Sequence, residues 1–247
     1  MLFRSMPYYY YGYGFDGWFW IVILMAVVCM IAQGNVTATF NRYSKVANSR
    51  GYTGADVAKM LLQQNGIYDV TVEHVRGNLT DHYDPVKKVL RLSDTVYNSR
   101  SVAALGVAAH ETGHAVQHAK GYAPLKLRSA IFPVVNFSSR IAMPLFIIGL
   151  LIGAMINSYS LALAGAILFA VVVAFQIITL PVEFNASSRA LRMLEDYNYL
   201  DTGEVAGARK VLSAAAMTYV AAAAASLVQL LRLLAIIGVG RDRKSVV

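Results

Sequence analysis

His110-Glu111-Thr112-Gly113-His114 is the group of residues best suited to do chemistry. It has the H-E-x-x-H form. On a 3.6-residue helix the two histidines fall one turn apart on one face, so both imidazoles can reach a single metal ion. Glu111 follows the first histidine and flanks that ion. Zinc lowers the pKa of a bound water to roughly 7, and a flanking glutamate can take its proton and pass it to a leaving amine. With five His and five Glu in 247 residues, composition alone predicts about 0.002 copies of the pattern. The surrounding segment, Ser101 to Ala119, is Ala-, Val- and Leu-rich and reads as a largely buried helix. Two His and a Glu buried there each need a partner, and one metal satisfies all three.

His118 continues the series one turn on. It lies about 12 Å from His110 along the axis at 1.5 Å per residue, too far for easy sharing of one ion. Position 120, where a metzincin places a third histidine, is Lys120. His118 therefore reads as a packing residue or a support for a metal ligand. A third ligand must come from elsewhere in the chain. Glu183, which follows Pro181 after a long apolar run, is a carboxylate at a helix start or a ligand; two His plus Glu with an open fourth position is a catalytic zinc set.

The elements that position these residues are mostly apolar. The chain is 57% hydrophobic and 15% charged, whereas a soluble domain carries about 25% charge. Residues 18–38 read as a first membrane span and 141–180 as a membrane hairpin with its turn at Asn157-Ser158-Tyr159-Ser160. Gly149 and Gly153 form a G-x-x-x-G pair suited to close helix contact. Residues 213–240 form a further apolar helix, interrupted by Gln229 and Arg232, which either spans or is partly embedded. The expected fold is mostly α: three or four transmembrane helices and a zincin-like catalytic unit with a small β-hairpin. Residues 1–17 are a Tyr- and Gly-rich segment, with Tyr8–Tyr13 read as lying near the membrane interface. Arg4 is the only basic residue before the first span and no A-x-A site follows it, which argues against a cleaved signal peptide. Cys29, the sole cysteine, excludes an internal disulfide and sits far from the H-E-x-x-H helix.

Residues 41–140 form the catalytic region, with its zinc helix at 101–119, and residues 181–212 the third-ligand helix and loop. Tyr43 to Gln64 has helical spacing, with Gly66 as its stop. Asp69–Val75 and Lys88–Leu92 alternate as strands and are expected to pair as a hairpin around a loop, Gly77–Pro85. Within that loop, Asp81, His82 and Asp84 read first as turn chemistry and second as contacts to substrate or an ion.

The net charge is +8, spread without the dense basic and aromatic runs that nucleic-acid binding needs, so no nucleic-acid partner is expected. Arg42, Lys45, Arg50, Lys126, Arg128, Arg140, Arg189, Arg192, Arg209 and Lys210 fall on one side of the proposed membrane, and Arg4, Arg241, Arg243 and Lys244 on the other. The positive-inside rule places the catalytic side in the cytoplasm.

HETGHAVQH, the apolar hairpin and LPVEFNASSRAL, together with RGNLTDHYDPVKKVLRL and LSAAAMTYVAAA, resemble the YugP-type neutral zinc metallopeptidases of bacterial membranes, over about residues 40 to 240. The resemblance implies a multi-pass enzyme of the bacterial inner membrane, with one zinc ion held by His110, His114 and Glu183 and with Glu111 as base. Its substrates would be membrane or membrane-proximal proteins. The layout is also similar to the HtpX and CAAX prenyl protease families, which place an Asp four residues after the ligand glutamate to orient a zinc histidine; here that residue is Ser187. Tyr219 and His82 are the candidates for stabilising the transition-state oxyanion. Two rivals stand beside this reading: a deformylase-like amidase, whose cysteine ligand is missing, and a non-catalytic, zinc-stabilised membrane scaffold, which would need a fourth protein ligand such as His118.

Overall fold

The computed structural model describes residues 17–156 and 158–242, so the Tyr8–Tyr13 segment and the basic residues 4, 243 and 244 lie outside it. Six helices and one small sheet follow in the order α1 (Gly17–Tyr43), α2 (Gly54–Gln64), β1 (Thr71–Val75), β2 (His82–Asp84), β3 (Val89–Ser93), α3 (Val102–Ala119), α4 (Ala123–Ile156), α5 (Ser160–Asp196) and α6 (Thr202–Asp242). Four of them, α1, α4, α5 and α6, are long and apolar enough to cross a membrane. The fold is thus mostly helical, with the expected membrane helices.

These helices exceed the need of a bilayer. At 1.5 Å per residue the 37 residues of α5 reach about 55 Å, against a hydrocarbon core of about 30 Å. The surplus of α5 falls at its polar end, where Glu183, Asn185, Arg189 and Arg192 stand. Pro181 does not end the helix but lies inside it. A long membrane helix tolerates one missing N–H where neighbouring groups take up the freed carbonyls. Likewise α4 begins at Ala123, well before the apolar run, and α6 begins at Thr202.

The α4–α5 hairpin closes on glycine. A Cβ on Gly149 would run into the backbone nitrogen of Ala162, and one on Gly165 would stand 2.6 Å from that of Phe146. Backbones approach that closely only where side chains are missing. Gly153 meets Tyr159 and Ser158 in the same way. The G-x-x-x-G pair therefore acts within the hairpin.

The sheet differs from the expected hairpin. β1 and β3 are neighbours, but they run parallel, and the strand order is β1-β3-β2. The segment read as a loop contains β2, which pairs antiparallel with β3 from His82↔Arg91 to Asp84↔Val89. A parallel pair needs a crossover of about a dozen residues, and residues 76–88 supply it. The Asp84 carboxylate closes the β2–β3 turn by accepting from the backbone N–H groups of Val86 and Lys87 (2.9 and 3.0 Å). That is the turn chemistry expected of Asp84. The helix expected from Tyr43 begins only at Gly54, because a capping box between Thr53 and Asp56 starts it there.

The main core gathers Leu61, Leu62, Leu90, Leu92, Val102, Leu105, Leu194 and Leu212 around α3. Most of α3 is buried, which explains its alanine-rich composition: small side chains let α2, α5 and α6 all reach it.

Candidate metal centre and active site

Helix α3 begins at Ser101, whose hydroxyl accepts from the Ala104 N–H. Bonds from Val102 N–H to the Val46 carbonyl tie its start to the chain leaving α1. Two glycines let the other helices approach. A Cβ on Gly106 would touch Ala208 of α6 at 3.3 Å, and one on Gly113 would stand 2.7 Å from the Ala186 carbonyl oxygen of α5. Gly113, the fourth residue of the H-E-x-x-H pattern, is thus where α5 crosses α3 in backbone contact, and Glu183 lies one turn before Ala186.

The crossing brings His110, His114 and Glu183 together, with one ligand-type atom from each within 4.8 Å of the others. The Glu183 Oε2 atom lies 3.3 Å from His110 Nε2 and 3.5 Å from His114 Nε2. The outer nitrogens of both rings are engaged. His114 Nδ1 lies 3.0 Å from Gln117 Oε1. Gln117 is fully buried, and its amide nitrogen donates to the Val182 carbonyl (2.8 Å) and to Asn185 Oδ1 (3.0 Å). That fixes the amide's orientation, so Gln117 Oε1 accepts and His114 Nδ1 carries the proton. His110 Nδ1 lies 3.1 Å from the Ser187 hydroxyl. Arg128 of α4 donates to Glu183 Oε1 at 3.2 Å, and the Arg189 Nε–H donates to Asn185 Oδ1 at 2.8 Å.

This arrangement fits a cation. With Nδ1 protonated, His114 aims a lone pair at Glu183 Oε2, and that buried oxygen has no hydrogen-bond donor. A buried carboxylate oxygen facing two imidazole nitrogens is unfavourable until a positive charge stands between them. Burial disfavours a charge on His114, yet contact with Glu183 and the charge of Glu111 outweigh it and raise its pKa. Two imidazoles and one carboxylate, with the outer nitrogens hydrogen-bonded, make a donor set suited to zinc.

Glu111 is buried and opens onto a cavity of about 300 Å³, lined also by His110, Glu183, Ser187, Tyr219 and Asp81. Tyr219 of α6 faces both Glu183 and Glu111. Two other residues singled out in the sequence stand apart from this cavity. His82 is exposed on β2, where its Nδ1–H donates to the Thr80 carbonyl (2.9 Å). His118 Nδ1 lies 2.8 Å from the Tyr83 hydroxyl, in hydrogen-bond contact with it. Burial, with the charges of Asp69 and Asp84, pushes the Tyr83 phenol up to about 12, so it stays a proton donor.

Two residues at the site, Gln117 and Arg128, were missed by the sequence reading, and Asp81 was given its place there only as a second reading. Gln117 had a signal: an amide in a buried helix needs partners, and it stands three residues from His114. Arg128 had none of comparable strength. Asp81 is no turn residue. Its carboxylate accepts from the Ser93 N–H (2.7 Å) and hydroxyl (2.9 Å) and faces the cavity. Burial pushes its carboxyl up against those two bonds, and the Glu111 charge adds to the shift.

A family model described as "Putative neutral zinc metallopeptidase" matches residues 18–238. The "Putative membrane protease YugP" of Bacillus subtilis (strain 168) is 54% identical over 211 residues, covering 85% of this chain and 92% of that protein. No solved structure matches. With a relative of that identity and four helices able to span a bilayer, the chain is a membrane protein, and it belongs to the family of neutral zinc metallopeptidases.

Proposed function

We propose that the chain is a membrane-bound endopeptidase that holds one zinc ion through His110, His114 and Glu183 and uses Glu111 as its general base. The observation that carries this reading is the buried, donorless Glu183 Oε2 facing both imidazole Nε2 atoms, beside a second buried glutamate that opens on the same cavity. Zinc, when bound, supplies a Lewis acid that polarises a carbonyl and acidifies water. The chain supplies the rest. Glu111 takes a proton from the attacking water and returns it to the leaving amine. Gln117 and Ser187 hold the two rings from behind, in place of the carboxylate that similar families use. Arg128 holds Glu183 by its other oxygen, and Tyr219 offers a hydroxyl to the oxyanion from across the cavity.

The scaffold reading needs a fourth protein ligand, and His118 is instead bonded to Tyr83. Four spans return the chain to one side twice, which keeps α2, the sheet, α3 and the polar ends of α4 and α5 together. The basic residues gathered there support a cytoplasmic active side in a bacterial inner membrane. A site at the ends of membrane helices suits membrane or membrane-proximal protein substrates.

The test is hydrolysis of an unstructured protein by the detergent-purified chain beside Glu111→Gln at equal zinc content. Cleavage by the wild type alone is expected. Equal cleavage by both, or by neither across a broad substrate set, contradicts the proposal.

A further inference from the structure

The cavity has a second part whose chemistry differs from that of the metal triad. Beside His110 and Glu183 the same cavity is lined by Val36 of α1, Val107 of α3, Leu212 and Ala215 of α6, and Leu79 from the segment between β1 and β2. Most polar groups on this wall already have partners within the protein. Both Asp81 oxygens accept from Ser93, and the Thr218 hydroxyl donates to the Ala215 carbonyl (2.7 Å). Gln33, which is exposed as well as lining the cavity, stands at its rim. A group entering past the rim therefore meets mainly carbon.

Leu79 is held there against its backbone preference. Its φ is 54°, in the left-handed region that residues with a Cβ rarely adopt. Such strain persists only where the surroundings over-determine it, and it gathers at ligand-binding sites. The surroundings here are explicit. Asp94 accepts from the Gly77 N–H (2.8 Å), the Thr80 hydroxyl donates to the Arg76 carbonyl (3.2 Å), and Asp81 is bonded to Ser93. Residues 77 and 81 are thus pinned to the end of β3, and Leu79 between them, itself 40% exposed, lines the cavity at its open side.

We propose that this apolar part is a subsite for one aliphatic side chain of the peptide substrate, with Leu79 and Ala215 setting its size. The proposal rests on the metal-site reading, because it places the reacting carbonyl at the triad and the neighbouring side chain against Leu79. The first membrane helix forms one wall, so the subsite suits substrates whose apolar residues lie at the membrane surface.

The test compares binding of two zinc-directed probes, N-acetyl-leucine hydroxamate and N-acetyl-glycine hydroxamate, to the zinc-loaded full chain in detergent. Burying most of a leucine side chain predicts roughly tenfold tighter binding of the leucine probe. Leu79→Ala, which opens the wall, and Ala215→Leu, which fills the space, should each bring the ratio towards one. Zinc content and affinity for the glycine probe should not change, which shows that the variants are folded. Equal affinities in the wild type, or a leucine preference that survives both substitutions, overturn the subsite. Binding of neither probe to a protein with full zinc also overturns it, because the cavity then admits no substrate. A chain that retains no zinc refutes the metal reading itself and the subsite with it.

Discussion

Replacing Gln117 by leucine tests the tautomer argument on which the metal site depends. The wild-type amide does three things at once. It accepts the His114 Nδ1–H at 3.0 Å and donates to the Val182 carbonyl and the Asn185 side chain at 2.8 and 3.0 Å. Leucine has nearly the same volume but none of these bonds. Without the acceptor, His114 is free to turn or to change tautomer, and its Nε2 lone pair is no longer fixed towards Glu183. Losing a hydrogen-bond partner of a ligand histidine typically costs 10- to 100-fold in metal affinity, or about 1.4 to 2.7 kcal/mol. The Val182 carbonyl also loses a second donor beyond its helical one, which removes about 0.5–1.5 kcal/mol of stability in the zinc-free protein. Gln117→Glu separates the two effects. It keeps an acceptor for His114 but cannot donate to Val182, so it should lose stability while holding zinc more tightly than Gln117→Leu. The assay is competition for zinc against a chromophoric chelator, with thermal melting in excess EDTA as the stability measure. If Gln117→Leu binds zinc as tightly as the wild type while His114→Ala does not, the amide does not position the ligand and the reasoning fails.

Further outcomes follow from the same geometry. Gly113→Ala would place a methyl 2.7 Å from the Ala186 carbonyl oxygen, forcing α5 away from α3; at least tenfold weaker zinc binding is expected, and a fully zinc-loaded variant with wild-type melting would refute the crossing. Burial opposes a charge on His114, but Glu183 and Glu111 raise its pKa above 6.5, so protons compete with zinc as pH falls through and below that raised value; the rise in melting temperature given by zinc should shrink as pH falls to 6.5 and below, and a constant rise contradicts the assignment. The sign reverses without metal, since a histidine with a raised folded-state pKa stabilises the fold most below its unfolded value, near 6.5, and loses that contribution as pH rises through the folded one. Gly149→Leu would drive a side chain into the Ala162 backbone and should abolish the folded, detergent-soluble protein; normal yield and melting would show that the hairpin is not closed there.

What could be read from the sequence depended on how far apart the interacting residues lie. His110 and His114 are legible because a helix places them together with no other information. The apolar helices are legible from composition, though their ends are not: α4 and α5 both run past their apolar stretches, and Pro181 lies inside α5 rather than at its boundary. The β1–β3 pair was found but with the wrong direction, since strand alternation carries no sign and the three-residue β2 was concealed among Asp and Pro. Gln117 to Val182 and Arg128 to Glu183 span 65 and 55 residues, and no local pattern encodes such contacts. Asp81 was misread for a similar reason: a carboxylate near a Pro looks like a turn until Ser93 is seen beside it.

The central claim is that His110, His114 and Glu183 hold one zinc ion. X-ray absorption at the zinc edge, with metal quantified per chain, tests it most directly. The account predicts one zinc per chain with two imidazole nitrogens and oxygen ligands at about 2.0–2.2 Å and no sulfur, and loss of that zinc in Glu183→Ala. A third imidazole on the ion, or unchanged zinc in Glu183→Ala, would contradict it.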